Sequence, residues 1–275
     1  LSELGESVPA TTVNRWCASS AQTIISASDA IRAGQRDAII AGGVESMSRV
    51  KMGANNEMHP GLNDDYNVAA LSMGMTAEAV AERYDVSRET QDDYAYRSHV
   101  RASEATEEGR FDDEIVPIET DDGVVDTDEG IRHDISRDKL SELPTVFKSE
   151  GTVTPGNASQ ITDGAAATLV TSRAFAEEHD LEILAEVGNN AVAGVDPEVM
   201  GIGPIPACQQ LFERSGTSAE DYDLVELNEA FASQCEYCRQ QLGFDEDIYN
   251  VNGGAIALGH PLGASGARLP VTLIH

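Results

Sequence analysis

The stretch that most constrains how this 275-residue chain can fold is the glycine-rich segment 250–268, NVNGGAIALGHPLGASGAR. Its five glycines are interleaved with alanines around a single histidine and a single proline. Because glycine lacks a Cβ, such a segment packs its backbone closely against other backbone or a ligand and supplies little side-chain core. The pattern therefore indicates a close-packed loop, with His260 held on a tight turn between Gly259 and Pro261.

His260 is the titratable residue of this loop. The unperturbed pKa of histidine lies near neutral pH, which suits a general base for a thiol or a donor to an oxyanion. A structural histidine that caps the turn is the alternative. The number of glycines around one titratable group favours a functional site.

Cys17 stands in the stretch NRWCASS at 14–20, between a short apolar approach and an Ala/Ser/Ile-rich run. The run predicts a buried helix over 21–32. A thiol at a helix N-terminus faces the positive end of the helix dipole, so we expect a lowered pKa and a reactive thiolate. Free cysteine is also often buried for packing alone, and this stretch by itself leaves both roles open.

Asn228 follows an apolar run in VELNEAF, where a predicted strand over 224–227 turns into a predicted helix over 229–242. A strand-to-helix turn lies at the carboxyl edge of a sheet, where the sites of α/β proteins gather. The Asn228 amide could position a water or a carbonyl oxygen. The alternative is an ordinary helix-capping asparagine.

Charge is the strongest global signal, with 48 acidic against 18 basic residues and a net charge of −30. Such an excess argues against binding to nucleic acid or an anionic membrane. Because salt screens this self-repulsion, we expect a protein of a high-salt cytoplasm; an ordinary acidic protein is the alternative. No apolar run is long enough to span a bilayer, and residues 1–10 do not resemble a signal peptide, so a cytoplasmic location is expected.

Four cysteines are too few and too scattered for a disulfide framework in a chain of this size. Cys235 and Cys238 form a C-x-x-C pair, which invites a redox or zinc interpretation. One pair cannot close a four-ligand zinc site, so no metal or redox cofactor is expected.

Apolar strands alternate with helices at both ends of the chain, which is typical of the α/β class. A polar, methionine-containing block from 47 to about 159 separates the two regions and is interpreted as an insertion. Predicted helices cover 75–83, 88–108, 172–179 and 204–214, and predicted strands cover 37–44 and 181–187.

Several motifs occur in an order that resembles the successive signatures of the thiolase family. They are NRWCASS, AGGVESMSR, GTVTPGNASQITDGAAA, GIGPIPA, ELNEAFA and the segment 250–268. The resemblance implies a layered αβαβα fold of two similar α/β halves with an inserted loop domain that covers CoA. It divides the chain into a first half at 1–48 and 160–180, a loop domain at 49–159, and a second half at 181–275.

The resemblance also implies an acyltransferase that cleaves 3-ketoacyl-CoA with CoA or condenses acetyl-CoA. CoA and acyl-CoA are then substrates, no cofactor is needed, and a homodimer or homotetramer is expected. Cys17 matches the acylated nucleophile, His260 its activator, and Asn228 the residue that holds a water in an oxyanion hole. Further matches are Ala158 and Ser159 along the pantetheine arm, Met73 and Phe147 in the channel wall, Ala230 and Phe231 beside Asn228, and Arg132 near the nucleotide.

Some family features are not found in this chain. The family carries a second catalytic cysteine downstream of the GHPLGASG motif and a segment ahead of the VPATTVNR region. We therefore expect an internal fragment. The alternatives are a ketoacyl synthase-like condensing enzyme, for which a second histidine is not evident, and a non-catalytic CoA-binding paralogue.

Overall fold

The α/β class predicted from the sequence is confirmed by the structure. A computed structural model describes residues 4–54, 58–121 and 123–275. Its helices and strands, in chain order, are α1 Ser19–Arg32, β1 Ala38–Ser46, α2 Leu62–Asp65, α3 Met73–Arg83, α4 Arg88–Glu107, β2 Ile118–Thr120, β3 Gly123–Val125, α5 Arg137–Ser141, β4 Asp163–Thr171, α6 Arg173–Glu178, α7 Pro204–Ser215, α8 Ala232–Leu242, α9 Ala255–Leu258 and α10 Leu262–Ile274. Short 3₁₀ helices lie at Val68–Leu71, Pro197–Ile202, Ala219–Asp221 and Glu246–Ile248.

Serine side chains mark the start of several helices. The Ser87 side chain accepts a hydrogen bond from Thr90 N at the start of α4, and Ser172 accepts one from Phe175 N at the start of α6. Each bond satisfies a backbone N–H group that has no partner inside the helix. The predicted helix that begins after Ser87 is therefore confirmed.

The described residues form two compact units. The first contains Leu1–Glu45, Gly164–Ile183 and Pro261–Arg268. Its sheet pairs β1 with β4. Ser172 N donates to Asp37 O, and Thr168 Oγ1 donates to Ala41 O. The contacts thus join residues in opposite sequence order, so the two strands run antiparallel.

Gly43 in β1 shows how closely the backbone packs in this first unit. A Cβ at this position would overlap the carbonyl of Gly263 and would lie 2.9 Å from the Ser20 Cβ of α1. Gly263 belongs to the glycine-rich segment, and its N–H donates to Glu45 Oε2 at 3.0 Å. The expected packing of this segment against other backbone is therefore present.

The second unit contains Ser46–Asp163, Leu184–His260 and Leu269–His275. Its core lies around α4 and α8 and includes Tyr94, Leu140, Cys235, Tyr249 and Ile256. A second buried cluster joins the C-terminal half of α4 to α9. β2 and β3 form a hairpin in which Ile118 faces Val125.

Three predicted elements are wrong in detail. The strand predicted over 224–227 is only an isolated bridge between Val225 and Tyr249. Residues 181–187 form neither helix nor strand, and Leu184 is 59% exposed. A strand requires hydrogen bonds to a neighbouring strand, and an apolar sequence pattern does not show whether such a neighbour is present. The helix expected from Glu229 begins at Ala232 instead, because Phe231 is extended and pairs with Ala158.

Candidate active site

Cys17 lies just before α1 in the first unit, in the strand-or-turn, cysteine, helix order that the sequence predicts. Trp16 takes a left-handed backbone conformation with φ +51°, which is uncommon for a residue other than glycine. Ser19 stabilises the turn, since its Oγ accepts from Arg15 N at 2.8 Å and donates to Trp16 O at 2.6 Å. The turn thereby fixes the partly buried Cys17 next to the helix N-terminus.

The predicted lowering of the Cys17 pKa is wrong. Burial of the thiol raises its pKa, and the nearby Glu45 carboxylate adds to the increase, while a backbone hydrogen bond opposes them only in part. Burial penalises the thiolate more than the helix N-terminus favours it. Cys17 is therefore a protonated thiol at neutral pH, and a reaction at its sulfur requires a base.

Asn228 and His260 form a contact in the second unit. Asn228 Nδ2 lies 3.2 Å from His260 Nε2. Since an amide nitrogen only donates, Nε2 is the unprotonated nitrogen of a neutral imidazole. The His260 side chain is buried, with the residue 4% exposed, and the backbone N–H of His260 donates to Gln160 O. The pair presents a buried ring nitrogen that can accept a proton.

Asn228 Oδ1 is buried and makes no hydrogen bond to the part of the protein that the structure describes. A buried amide oxygen of this kind can accept from a water or a substrate donor. The water-holding role that the resemblance implies for Asn228 is compatible with this geometry.

Most of the remaining predicted site residues of the second unit contact Ala230 or Phe231, which follow Asn228 in the chain. Phe147 packs edge-on against Phe231, with ring centroids 6.2 Å apart, and its ring lies against Gly74, the residue after Met73. Ser159 N donates to Ala230 O at 3.0 Å, and Ala158 pairs with Phe231. Aromatic rings and backbone groups therefore lie together beside Asn228.

Arg132 is joined to these residues through Gln160. The Gln160 side chain donates to Gly130 O at 2.8 Å, two residues before Arg132, while its backbone carbonyl accepts from His260 N. Arg132 N donates to the buried His99 Nδ1. Burial lowers the pKa of His99 to about 4, with the Arg132 and His133 charges contributing, so this ring is neutral. The Arg132 side chain is exposed to solvent.

Two family models match nearly the whole chain. The model described as Thiolase, N-terminal domain matches residues 1–174, and Thiolase, C-terminal domain matches residues 181–275. This chain belongs to the thiolase family. The family and the acyltransferase class predicted from the sequence are thereby confirmed.

Curated thiolases align over all or nearly all of this chain. The 3-ketoacyl-CoA thiolase of Pseudoalteromonas translucida (strain TAC 125) is 48% identical, and that of Bacillus subtilis (strain 168) is 47% identical. Both alignments cover 100% of this chain and 73% and 74% of the relatives. An acetyl-CoA acetyltransferase of Chromobacterium violaceum is 46% identical over 97% of this chain and 73% of the relative. These relatives support thiolase function for the chain.

Solved thiolases share the fold. The dimeric peroxisomal thiolase of Saccharomyces cerevisiae superposes with a TM-score of 0.93 at 38% identity, covering 99% of this chain and 71% of the yeast chain. Human mitochondrial 3-ketoacyl-CoA thiolase in complex with CoA gives a TM-score of 0.91 at 38% identity, with 99% and 72% covered. The predicted thiolase-like α/β fold is confirmed.

The C-x-x-C pair belongs to the core of this thiolase chain. Cys235 and Cys238 are each 0% exposed. Burial raises the pKa of Cys238 to about 12 and that of Cys235 well above its ordinary range. Across the described residues, no group of three or more His, Cys, Asp or Glu side chains could hold a metal ion. Within the same residues, no helix has the length and apolarity needed to cross a bilayer.

The sequence analysis missed two residues of this thiolase site, Gln160 and Glu229. The Gln160 side chain reaches two backbone segments, because its Nε2 donates to Gly130 O and also lies 3.1 Å from Ile256 O and 3.3 Å from Ala257 O in α9. Glu229 is 1% exposed and accepts four hydrogen bonds. Their positions inside the GNASQ and NEAF motifs were the only available signal, since a single sequence does not show burial.

Proposed function

We propose that Cys17 accepts an acyl group from acyl-CoA and returns it to CoA, with His260 as the base. The observation that carries the proposal is the Asn228–His260 contact, which leaves Nε2 of a buried, neutral ring unprotonated. Such a base is needed because the raised pKa of Cys17 keeps its thiol protonated at neutral pH. Both residues also match the family motifs.

The proposed acylation step proceeds by proton transfer and nucleophilic attack. Nε2 of His260 takes the Cys17 proton as Sγ forms a bond to the carbonyl carbon of acetyl-CoA, and the carbonyl oxygen becomes an oxyanion. Once protonated, Nε2 is a hydrogen-bond donor and no longer accepts from Asn228 Nδ2. The Nε2–H group can then donate to the oxyanion. The intermediate collapses by breaking the bond to the CoA sulfur, which takes the proton from His260 and leaves as CoA thiol.

The walls beside Asn228 support binding of the acyl-pantetheine arm. We assign Ala158, Ser159, Ala230 and the Phe147–Phe231 ring pair to this arm, with Met73 next to Gly74. The exposed Arg132 guanidinium is assigned to the anionic nucleotide end of CoA, because arginine binds phosphate groups well.

We assign 3-ketoacyl-CoA, acetyl-CoA and CoA as the substrates, with no separate cofactor. The curated relatives carry the names 3-ketoacyl-CoA thiolase and acetyl-CoA acetyltransferase. A cytoplasmic location and a homodimer or homotetramer are part of the same proposal, and the yeast neighbour is described as dimeric. Residues 49–159 are assigned as the loop domain over CoA.

Acetylation of Cys17 tests this function. Incubation with acetyl-CoA is expected to add one acetyl group, which peptide-mapped mass spectrometry locates on Cys17, and addition of CoA is expected to remove it. The Cys17→Ala variant, shown to be folded by circular dichroism, is the control and should take up no acetyl group there. A folded wild-type protein without the adduct would rule out the proposed nucleophile and favour a non-catalytic CoA-binding role.

The net charge of −30 predicts stability that depends on salt. Screening shortens the range of like-charge repulsion from about 10 Å at 0.1 M salt to about 3 Å at 1 M. We expect the thermal unfolding midpoint to rise as KCl increases from 0.1 to 2 M, with most of the gain below about 1 M. A midpoint that does not rise would contradict a high-salt origin, and a rise that stays linear to 2 M would indicate a general salting-out effect.

A further inference from the structure

Glu229 is a buried carboxylate held by uncharged donors. Its side chain accepts from Tyr94 Oη at 3.1 Å, Ser98 Oγ at 2.6 Å, Asn250 Nδ2 at 2.9 Å and Ile256 N at 3.1 Å. The residue is only 1% exposed. A buried carboxylate is tolerated when hydrogen bonds satisfy its lone pairs, and here four donors converge on two oxygens.

The charge of Glu229 acts on its surroundings. Burial raises the pKa of the neighbouring Cys235 thiol well above its ordinary range, and the Glu229 charge contributes to that increase. The pKa of the Tyr94 hydroxyl is also raised, first by burial and then by interaction with Cys235 and with the Glu229 charge. Both groups stay protonated: Tyr94 Oη donates to Glu229 and accepts from Asn250 Nδ2, and Cys235 Sγ donates to Asn228 O and accepts from Gln234 Nε2.

Two of the four donors lie on segments next to the Asn228–His260 pair. Asn250 also bonds the backbone of Leu227, one residue before Asn228, and Ile256 lies four residues before His260. Glu229 directly follows Asn228, whose carbonyl accepts from Cys235 Sγ at 3.4 Å. Ile256 lies in α9, which ends at Leu258, two residues before His260. One carboxylate therefore holds the backbone beside Asn228 and the short helix that precedes His260.

The backbone at Gly254 packs closely against the Glu229 side chain. A Cβ on Gly254 would overlap the Glu229 carboxyl group, and Gly254 N donates to Ser98 Oγ at 3.2 Å. The backbone ahead of α9 thus rests directly against the carboxylate.

We propose that Glu229 is a positioning residue that sets the distance between Asn228 and His260: its backbone continues directly from Asn228, and its carboxylate binds Ile256 N in α9, ahead of His260. The proposal rests on the acyl-transfer function of that pair. It assigns Glu229 no contact with substrate, so its effect on the reaction passes through the His260 ring.

Replacement of Glu229 by glutamine tests the proposal. Glutamine keeps the size of the side chain, but its amide group places a donor against donors. We expect the maximal rate of Cys17 acetylation to fall about 10- to 100-fold, with the half-saturating acetyl-CoA concentration changed less than about twofold. Glu236→Gln is the matched control, since Glu236 is 6% exposed and hydrogen-bonded to Arg239 and Gln240 in α8. It should acetylate at the wild-type rate.

Ser98→Ala provides a milder variant if Glu229→Gln does not fold. It removes one donor to the carboxylate and the acceptor of Gly254 N but leaves the carboxylate in place, so we expect a loss of about 5- to 30-fold, the effect of one to two hydrogen bonds. A folded Glu229→Gln or Ser98→Ala protein with wild-type acetylation would overturn the inference while leaving the acyl-transfer function intact.

Nuclear magnetic resonance separates this inference from the function on which it rests. Side-chain ¹⁵N shifts of His260, assigned with a His260→Gln sample, report which ring nitrogen carries the proton. In wild type and Glu236→Gln we expect the Nδ1–H form, and in Glu229→Gln a mixture of forms. If wild type is not acetylated, the function fails and these spectra alone decide the role of Glu229; unchanged spectra in Glu229→Gln would refute it.

Discussion

Replacing His260 with alanine is expected to slow acetylation of Cys17 by about 10²- to 10⁴-fold at pH 7, the usual contribution of a general base. Burial and the Glu45 charge hold the Cys17 pKa above its ordinary value, so little thiolate exists at this pH without a base. The variant also loses the ring nitrogen that Asn228 contacts. Rapid quenching and mass spectrometry of the Cys17 peptide measure the rate.

The same variant should show a different dependence on pH. When a group has a raised pKa, its protonated form persists to higher pH, so the thiolate fraction of Cys17 increases about tenfold per pH unit until that raised pKa is passed. The acetylation rate of His260→Ala should follow this increase above pH 8, whereas the wild-type rate should level off earlier. His179→Ala, which removes an exposed histidine at the end of α6, is the control and should behave as wild type. A folded His260→Ala protein that acetylates at the wild-type rate would exclude His260 as the base.

Adding one methyl group at Gly43 is expected to cause a large loss of stability. A Cβ at Gly43 would overlap the Gly263 carbonyl and crowd Ser20, and backbone atoms cannot move aside as a flexible side chain can. Overpacking of this kind costs about 3 kcal/mol, and more when backbone must shift. We therefore expect Gly43→Ala to lower the free energy of unfolding by about 3 kcal/mol or more.

Urea unfolding followed by circular dichroism measures this effect. Gly194→Ala is the matched control, because a Cβ there has open space around it and the backbone conformation suits an L residue. The control should change the free energy of unfolding by less than about 0.5 kcal/mol. Equal midpoints for the two variants would show that β1 and the 261–268 segment can separate without loss of stability.

Local sequence signals were sufficient to predict the positions of most helices. α4 begins after Ser87 as expected because the capping serine and the Thr90 N–H that it accepts from are neighbours in sequence. α7 occupies almost the predicted range, with Pro204 at its first turn and Gly216 in a left-handed conformation after its last residue. These interactions join residues three or four positions apart, so the pattern of residues contains them.

Prediction from local sequence was wrong where contacts between residues far apart in the chain determine the pKa or the role of a side chain. The helix N-terminus next to Cys17 is a local feature and favours a lowered pKa, but burial and Glu45 raise it. Glu229 was expected to begin a helix, yet Tyr94 and Ser98, more than 130 positions earlier, bind its carboxylate. The polarity of a residue in sequence does not reveal the partners that folding brings to it.

The sequence by itself determined the α/β class, the thiolase family and the identity of the candidate nucleophile and base, because ordered motifs and local capping patterns carry that information. Tertiary structure alone decided that the Cys17 thiol remains protonated. It also decided that Asn228 contacts His260 and that the Glu229 side chain is buried. The physical reason is that burial and electrostatic interaction depend on distance in space. Residues far apart in the chain supply both, and only the folded backbone brings them within hydrogen-bonding range.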